Sequence, residues 1–172
     1  VLPGEFVDRV RNFRIRGSSA KLNIALDGAP TWPSIPAGSP VLKGDLHYSE
    51  SLDEVERAYD EWKDGRWSTI PYIDMIMPSL IDPTMAPEGK HFLSVFVQYC
   101  PYKLAQGEWT PELKQAFGDN VINAIARYSP DFKQKILHAE IRTPLDIEKE
   151  VGHSDANIFQ DEQTLDQLMF NR

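Results

Sequence analysis

Phe92-Leu93-Ser94-Val95-Phe96-Val97-Gln98-Tyr99 is the stretch whose reading decides the architecture. Side chains alternate along a strand, so Leu93, Val95, Val97 and Tyr99 share one face while Phe92, Ser94, Phe96 and Gln98 share the other. Both faces carry large apolar groups, so both are expected to be at least partly covered. Helices packed on one side then leave the other for a ligand cavity or a second domain. Ile70 to Met77 reads as a second strand, bounded by Pro78. The loop between the two holds Asp82-Pro83 and Pro87-Glu88-Gly89, which fits antiparallel neighbours.

Upstream, residues 20–27 alternate with Leu22, Ile24 and Leu26 on one side and Lys21, Asn23 and Ala25 on the other, then turn at Asp27-Gly28. Prolines 30, 33, 36 and 40 forbid a regular element, so a surface loop carrying Trp32 is expected there. A short strand is expected over 45–48. Ser51 with Glu54 three residues on, followed by Leu52, Val55, Tyr59 and Trp62, predicts a helix over 52–64. Thr110-Pro111 starts another, with Leu113, Phe117, Val121, Ile125 and Tyr128 on one face, weakened by Gly118. Lys135 to Arg142 has strand character. Thr143-Pro144 with Asp146 opens a short helix stopped by Gly152, and a last helix is expected after Thr164. The expected class is α+β: a mixed, largely antiparallel sheet with helices on one face, the other face forming a substrate pocket or domain interface.

At 172 residues the chain fits one domain, 1–172, large enough for its own core. A formal net charge of -8 works against nucleic acid and anionic membrane surfaces. The cluster Arg9, Arg11, Arg14 and Arg16 stands beside Glu5 and Asp8 and reads as a solvated face before it reads as a phosphate-binding arm. A single cysteine, Cys100, fits a reducing compartment and a cytoplasmic location. No apolar run approaches a membrane span. The chain opens on Val1 and stops at Arg172 without an evident signal at either end, as expected of a piece excised from a longer protein.

Most catalytic signatures are missing. Gly-x-Gly occurs nowhere, so the chain has no glycine fingerprint for a dinucleotide pyrophosphate. Gly38 and Gly44 are misplaced for a P-loop, with Asp45 where lysine is needed. Histidines 47, 91, 138 and 153 are scattered without a paired spacing or a cysteine pair, so no metal site is expected. No Gly-x-Ser-x-Gly elbow occurs, and Cys100 ends an apolar strand where a buried thiol is the ordinary reading. Acids 53, 54 and 56 and acids 146, 148 and 150 fall at helix starts or on charged faces, which the helix dipole explains.

Several segments in order nevertheless resemble the phytoene dehydrogenase-related branch of the FAD-dependent amine oxidase superfamily. They are Arg16-Gly17-Ser18, Lys21-Leu22-Asn23-Ile24-Ala25-Leu26, Pro78-Ser79-Leu80-Ile81-Asp82-Pro83, Ala86-Pro87-Glu88-Gly89-Lys90-His91, Ser94-Val95-Phe96-Val97-Gln98-Tyr99, Pro101-Tyr102, Thr143-Pro144-Leu145-Asp146, Asn157-Ile158-Phe159 and Leu165-Asp166-Gln167-Leu168. Such relatives commonly carry Gly-Gly-Asn-Ile-Phe-His-Gly where this chain reads Asp155-Ala156-Asn157-Ile158-Phe159-Gln160-Asp161. That departure puts any role of the family histidine in doubt.

The resemblance implies that the chain is the substrate-binding domain of a larger two-domain flavoprotein, partnered by an FAD-binding domain of the same full-length protein. FAD is then expected in that protein and not on this piece, with hydride passing from a hydrophobic substrate to the flavin. Substrate-lining positions implied are Lys21, Asn23, Phe96, Gln98, Asn157, Phe159 and Gln160. The isolated piece is expected to be inactive and to expose a sheet face through which it can form a homodimer. Two rival readings stand beside this one: a free-standing α+β module for a small ligand or a protein partner, and a small hydrolase built on clustered acids.

Overall fold

In the computed structural model, which describes residues 2–168, every strand predicted from alternation is present. After a first helix α1 (Gly4–Arg11) come β1 (Ser19–Leu26), β2 (Leu46–Tyr48), α2 (Leu52–Lys63), β3 (Tyr72–Ile76) and β4 (His91–Gln98). Then follow α3 (Pro111–Ala126), the single turn α4 (Phe132–Lys135), β5 (Ile136–Arg142) and α5 (Pro144–Val151). The five strands form one sheet in the order β2-β3-β4-β1-β5, and every ladder is antiparallel. This is the expected α+β class.

The helix starts follow from local chemistry. Ser51 and Thr110 each accept a first-turn amide, and Thr143 with Asp146 forms a reciprocal capping box. α5 stops at Gly152 in the left-handed conformation.

Alternation decides which face is buried. Ala20, Leu22, Ile24 and Leu26 of β1, Ile73 and Met75 of β3, and Leu93, Val95 and Val97 of β4 form the core face with Phe117, Val121, Ala124 and Ile125 of α3 and Phe132 of α4. Gly118 explains itself here: a Cβ at that position would stand 2.1 Å from Ile141 Cδ1, so the glycine lets α3 lie directly on β5. Trp32, expected in a surface loop, is instead buried in this core, because the proline-rich loop folds back over the sheet.

α2 sits at the end of the sheet where β1 begins and β4 ends. Trp62 is buried there, donates its indole N–H to the Gly17 carbonyl at 3.0 Å and meets Tyr99. The chain around Arg14 and Arg16 is clasped by the C-terminal segment. Glu162 N–H donates to the Arg14 carbonyl, Gln167 bonds the Arg14 backbone in both directions, and Glu162 receives the Arg16 guanidinium. Of the helix expected after Thr164, residues 165–168 form a turn, and 169–172 lie outside the described residues.

The four arginines of the N-terminal cluster are each matched to a carboxylate: Arg9 to Glu5, Arg11 to Asp8, Arg14 to Asp166 and Arg16 to Glu162. That pairing removes the free positive charge a phosphate-binding arm needs. Among the described residues no helix is long and apolar enough to cross a membrane.

Candidate functional site

The alternate residues of the same strands form a second, open face. Register places His47, Asp74, Phe96, Lys21 and Arg142 side by side across all five strands. The neighbouring row is Ile76, Ser94, Asn23 and Glu140, and the row beyond it runs Phe92, Ala25 and His138. From Lys21 to Ala25 and from Phe92 to Gln98 these residues are half-buried or exposed, whereas their core-facing neighbours are fully buried. Phe92, Phe96, Ala25 and Ile76 stand around the polar pair Ser94 and Asn23, so apolar and polar groups alternate across the face.

Hydrogen bonds on this face run from strand to strand. Lys21 Nζ donates to Ser94 Oγ, and Asn23 Nδ2 donates to Glu140 at 2.9 Å. Burial holds the Lys21 ammonium below the usual lysine range, partly offset by Asp74. Asn23 and Arg142 together hold Glu140 below the usual carboxylate range.

At the β2 end of the face, His47 lies directly across the ladder from Asp74, and Asp45 precedes it by two residues. His47 Nδ1 is 2.6 Å from the Tyr72 hydroxyl and 3.8 Å from Asp74, and Nε2 is 3.5 Å from Asp45. Loss of hydration, then the neighbouring Asp45, push the Asp74 carboxyl up to about 6. Sequence spacing missed this group, since only strand pairing joins positions 47 and 74. The available signal was Asp45-Leu46-His47, two polar groups at strand spacing.

Lys21, Asn23, Phe96 and Gln98 therefore share the open face, while Asn157, Phe159 and Gln160 lie on a separate loop. That loop packs against the chain just before β1. Asn157 is buried; its Nδ2 donates to the Arg16 and Asp161 carbonyls and its Oδ1 accepts from Phe159 N–H. Its amide thus organises the turn, while Phe159 is 63% exposed and points a large apolar ring outward. Asp155, Ala156 and Gln160 all have positive φ, at 51°, 57° and 62°. Positive φ is the region that favours glycine, so the loop adopts a glycine-type backbone without glycines. Gly17 receives the loop: a Cβ there would lie 1.4 Å from the Asp155 carbonyl oxygen.

The rest of the surface offers one larger cleft, about 620 Å³, between the start of α3 and the free edge of β5, lined by Trp109, Thr110, Lys114, His138 and Asp146 among others. Lys114 and Asp146 pair across it at 2.8 Å. Cys100 is fully buried, and burial pushes its thiol well above the ordinary value, which suits a structural and not a nucleophilic role.

A pyrophosphate cradle does not fit these residues. α2 and α5, the helices that follow strands most directly, have first-turn amides already capped by Ser51 and Thr143. They carry Asp53, Glu54 and Asp146 where an anion would have to approach.

Taken by fold and site, this is an α+β domain with one packed and one open sheet face and a strained loop at the sheet's end. No family model matches the chain. Over 99% of its length it is 35% identical to pyridine nucleotide-disulfide oxidoreductase domain-containing protein 2 of Rattus norvegicus and 36% identical to that of Mus musculus, in each case covering 31% of the relative. Over 52% of its length it is 31% identical to the 4,4'-diaponeurosporene oxygenase of Staphylococcus haemolyticus, covering 18% of that protein. The chain is thus related to a segment of proteins named as oxidoreductases, and it spans about a third of the length of the first two.

Proposed function

We propose that this chain is the substrate-binding segment of a phytoene dehydrogenase-like FAD-dependent oxidoreductase. The observation that carries the reading is the open sheet face, where the half-buried Phe92 and Phe96 rings flank Ser94 and Asn23, with half-buried Lys21 opposite Phe96. An apolar surface with a few placed polar groups is the usual character of a ligand-binding wall. The similarity to the diaponeurosporene oxygenase favours a long apolar polyene as the substrate class. FAD would supply the redox chemistry and would be held by parts of the longer protein outside this chain, since the residues here build no phosphate cradle. The chain's own part is to bind and orient the substrate and to keep water from it, through the Phe92 and Phe96 rings, with Asn23 between their rows and Lys21 and Gln98 beside Phe96. The loop carrying Phe159 and Gln160, held by Asn157 beside the start of β1, would bring the exposed Phe159 ring to the same substrate. Separated from the rest of the protein, the same face would pair two copies into a dimer.

The test uses both proteins. The isolated chain is expected to purify without flavin, whereas the longer protein retains one FAD per chain after desalting. In the latter, Phe96→Ala and Asn23→Ala slow anaerobic flavin reduction by diaponeurosporene while leaving FAD bound. A longer protein that purifies without flavin and binds none when FAD is added would sink the reading.

A further inference from the structure

We propose that Asp45, His47 and Asp74 form a binding site for one divalent metal ion of the zinc or cobalt type, at the β2 edge of the open face. Each residue brings one ligand atom, and the three atoms lie within 4.8 Å of one another. Metal–ligand bonds of about 2.1 Å at a tetrahedral angle place neighbouring ligand atoms about 3.4 Å apart. The 3.5 Å between His47 Nε2 and the Asp45 carboxylate already meets that spacing, and the Asp74 carboxylate, nearest the ring at Nδ1 (3.8 Å), turns toward Nε2 to complete the set.

The supports around the three ligands suit an ion as well. Tyr72, two residues from Asp74 on the same face of β3, holds His47 Nδ1 through its hydroxyl at 2.6 Å, which leaves Nε2 as the ligand atom. A bound imidazole commonly uses its second nitrogen in this way, and the contact fixes the ring. Both strands are rigid ladder elements, so His47 and Asp74 are held by backbone pairing and Asp45 by its place one residue before β2. Two carboxylates facing each other beside an imidazole repel, and a dication between them turns that repulsion into attraction. Lys21, across Phe96 from Asp74, gives its hydrogen bond to Ser94 and not to the carboxylate. Nitrogen with two carboxylate oxygens suits zinc and cobalt, and three protein ligands leave a coordination position open toward the face.

Tag-free, chelator-treated protein titrated with Co2+ is expected to develop visible d–d absorption that saturates at one equivalent and is displaced by Zn2+. Zn2+ is also expected to raise the melting temperature. His47→Ala and Asp74→Asn should each weaken Co2+ binding at least tenfold, and Tyr72→Phe by a smaller factor, while His138→Ala on the opposite edge leaves it unchanged. Circular dichroism of each variant confirms that the sheet is intact, which His47 and Asp74 permit because neither is in the core. Failure to bind Co2+ at one equivalent in folded protein overturns the proposal. So does binding that survives both His47→Ala and Asp74→Asn.

Discussion

The two faces of the sheet are built from alternate residues of the same strands, yet they obey different rules. On the core face Leu22, Ile24, Val95 and Val97 are fully buried in the cluster that α3 and α4 complete, and all four are apolar. On the other face the same strands carry half-buried Lys21, Asn23, Ser94 and Phe96, with Lys21 hydrogen-bonded to Ser94 and Asn23 to Glu140. Burial determines stability on the first face. On the second, residues are placed at ladder spacing without being needed to hold the fold, which makes that face free to carry chemistry.

The sharpest way to break this comparison is a pair of truncations one strand apart. Ile24→Ala leaves a cavity in the core and is expected to cost about 2–5 kcal/mol. Phe96→Ala removes a larger ring from the open face and is expected to cost about 1 kcal/mol or less, because the ring is only partly withdrawn from water. Urea denaturation at equal protein concentration measures both. Equal costs would mean that the open face is covered in solution.

A second pair of regions, the ladder and the 152–161 loop, gives the next largest effect. The Gly17→Ala side chain cannot fit against the Asp155 carbonyl 1.4 Å away, so either the loop or the start of β1 must shift. Overpacking of this kind costs about 1–3 kcal/mol. Hydrogen exchange is expected to quicken at Asn157 and Phe159 amides while β1–β4 amides keep their protection. Uniform quickening across the sheet would show that loop and ladder are one unit.

Much of the ladder was legible in the sequence because period-two alternation survives without knowledge of partners. Lys21, Asn23, Phe96 and Gln98 could be put on one face for that reason alone. α1 was not read as a helix, although Phe6, Val7 and Val10 stand at helical spacing, and none of its side chains is buried in the core. Trp32 was placed in the right loop but on the wrong side, since local proline content says that a segment is irregular and not where it folds. The Asp45, His47 and Asp74 group depends on a register between strands 27 positions apart, measured from His47 to Asp74, which no local pattern encodes. The loop at 155–160 is harder still, because Asp155 and Ala156 adopt a backbone that their own chemistry disfavours.

That last conflict yields a smaller effect of opposite sign. Asp155→Gly relieves a positive φ and removes a carboxyl that burial and the adjacent Glu148 push up. The left-handed conformation costs an ordinary residue about 1–2 kcal/mol, less for aspartate, so a gain of about 1 kcal/mol is expected at pH 7. Thermal melts of the variant and the parent decide it, and a lower melting temperature would show that the Asp155 side chain supports the loop.

The smallest effect is a difference in acid response between those same two proteins. Glu148 accepts hydrogen bonds from the Tyr102 hydroxyl and from the Asp155 backbone N–H, and these hold its carboxyl below the usual range while Tyr102 is pushed up to about 12. A carboxyl depressed by folding stabilises the protein above its unfolded value, and that contribution is lost as pH falls through the depressed one. Asp155 has the opposite sign: raised by folding, it favours the native state in its protonated form, so its contribution grows as pH falls from neutral toward its unfolded value. In the parent protein the two changes partly cancel as pH falls through the carboxylate range. Asp155→Gly keeps the backbone N–H that Glu148 accepts from but removes the compensating carboxyl. The variant should therefore start more stable at pH 7 and lose stability more steeply on acidification, with the gap between the two curves of melting temperature against pH narrowing to the part due to the relieved φ. Parallel curves would show that Asp155 and Glu148 do not titrate against each other, and that the loop is held by the Asn157 amide alone.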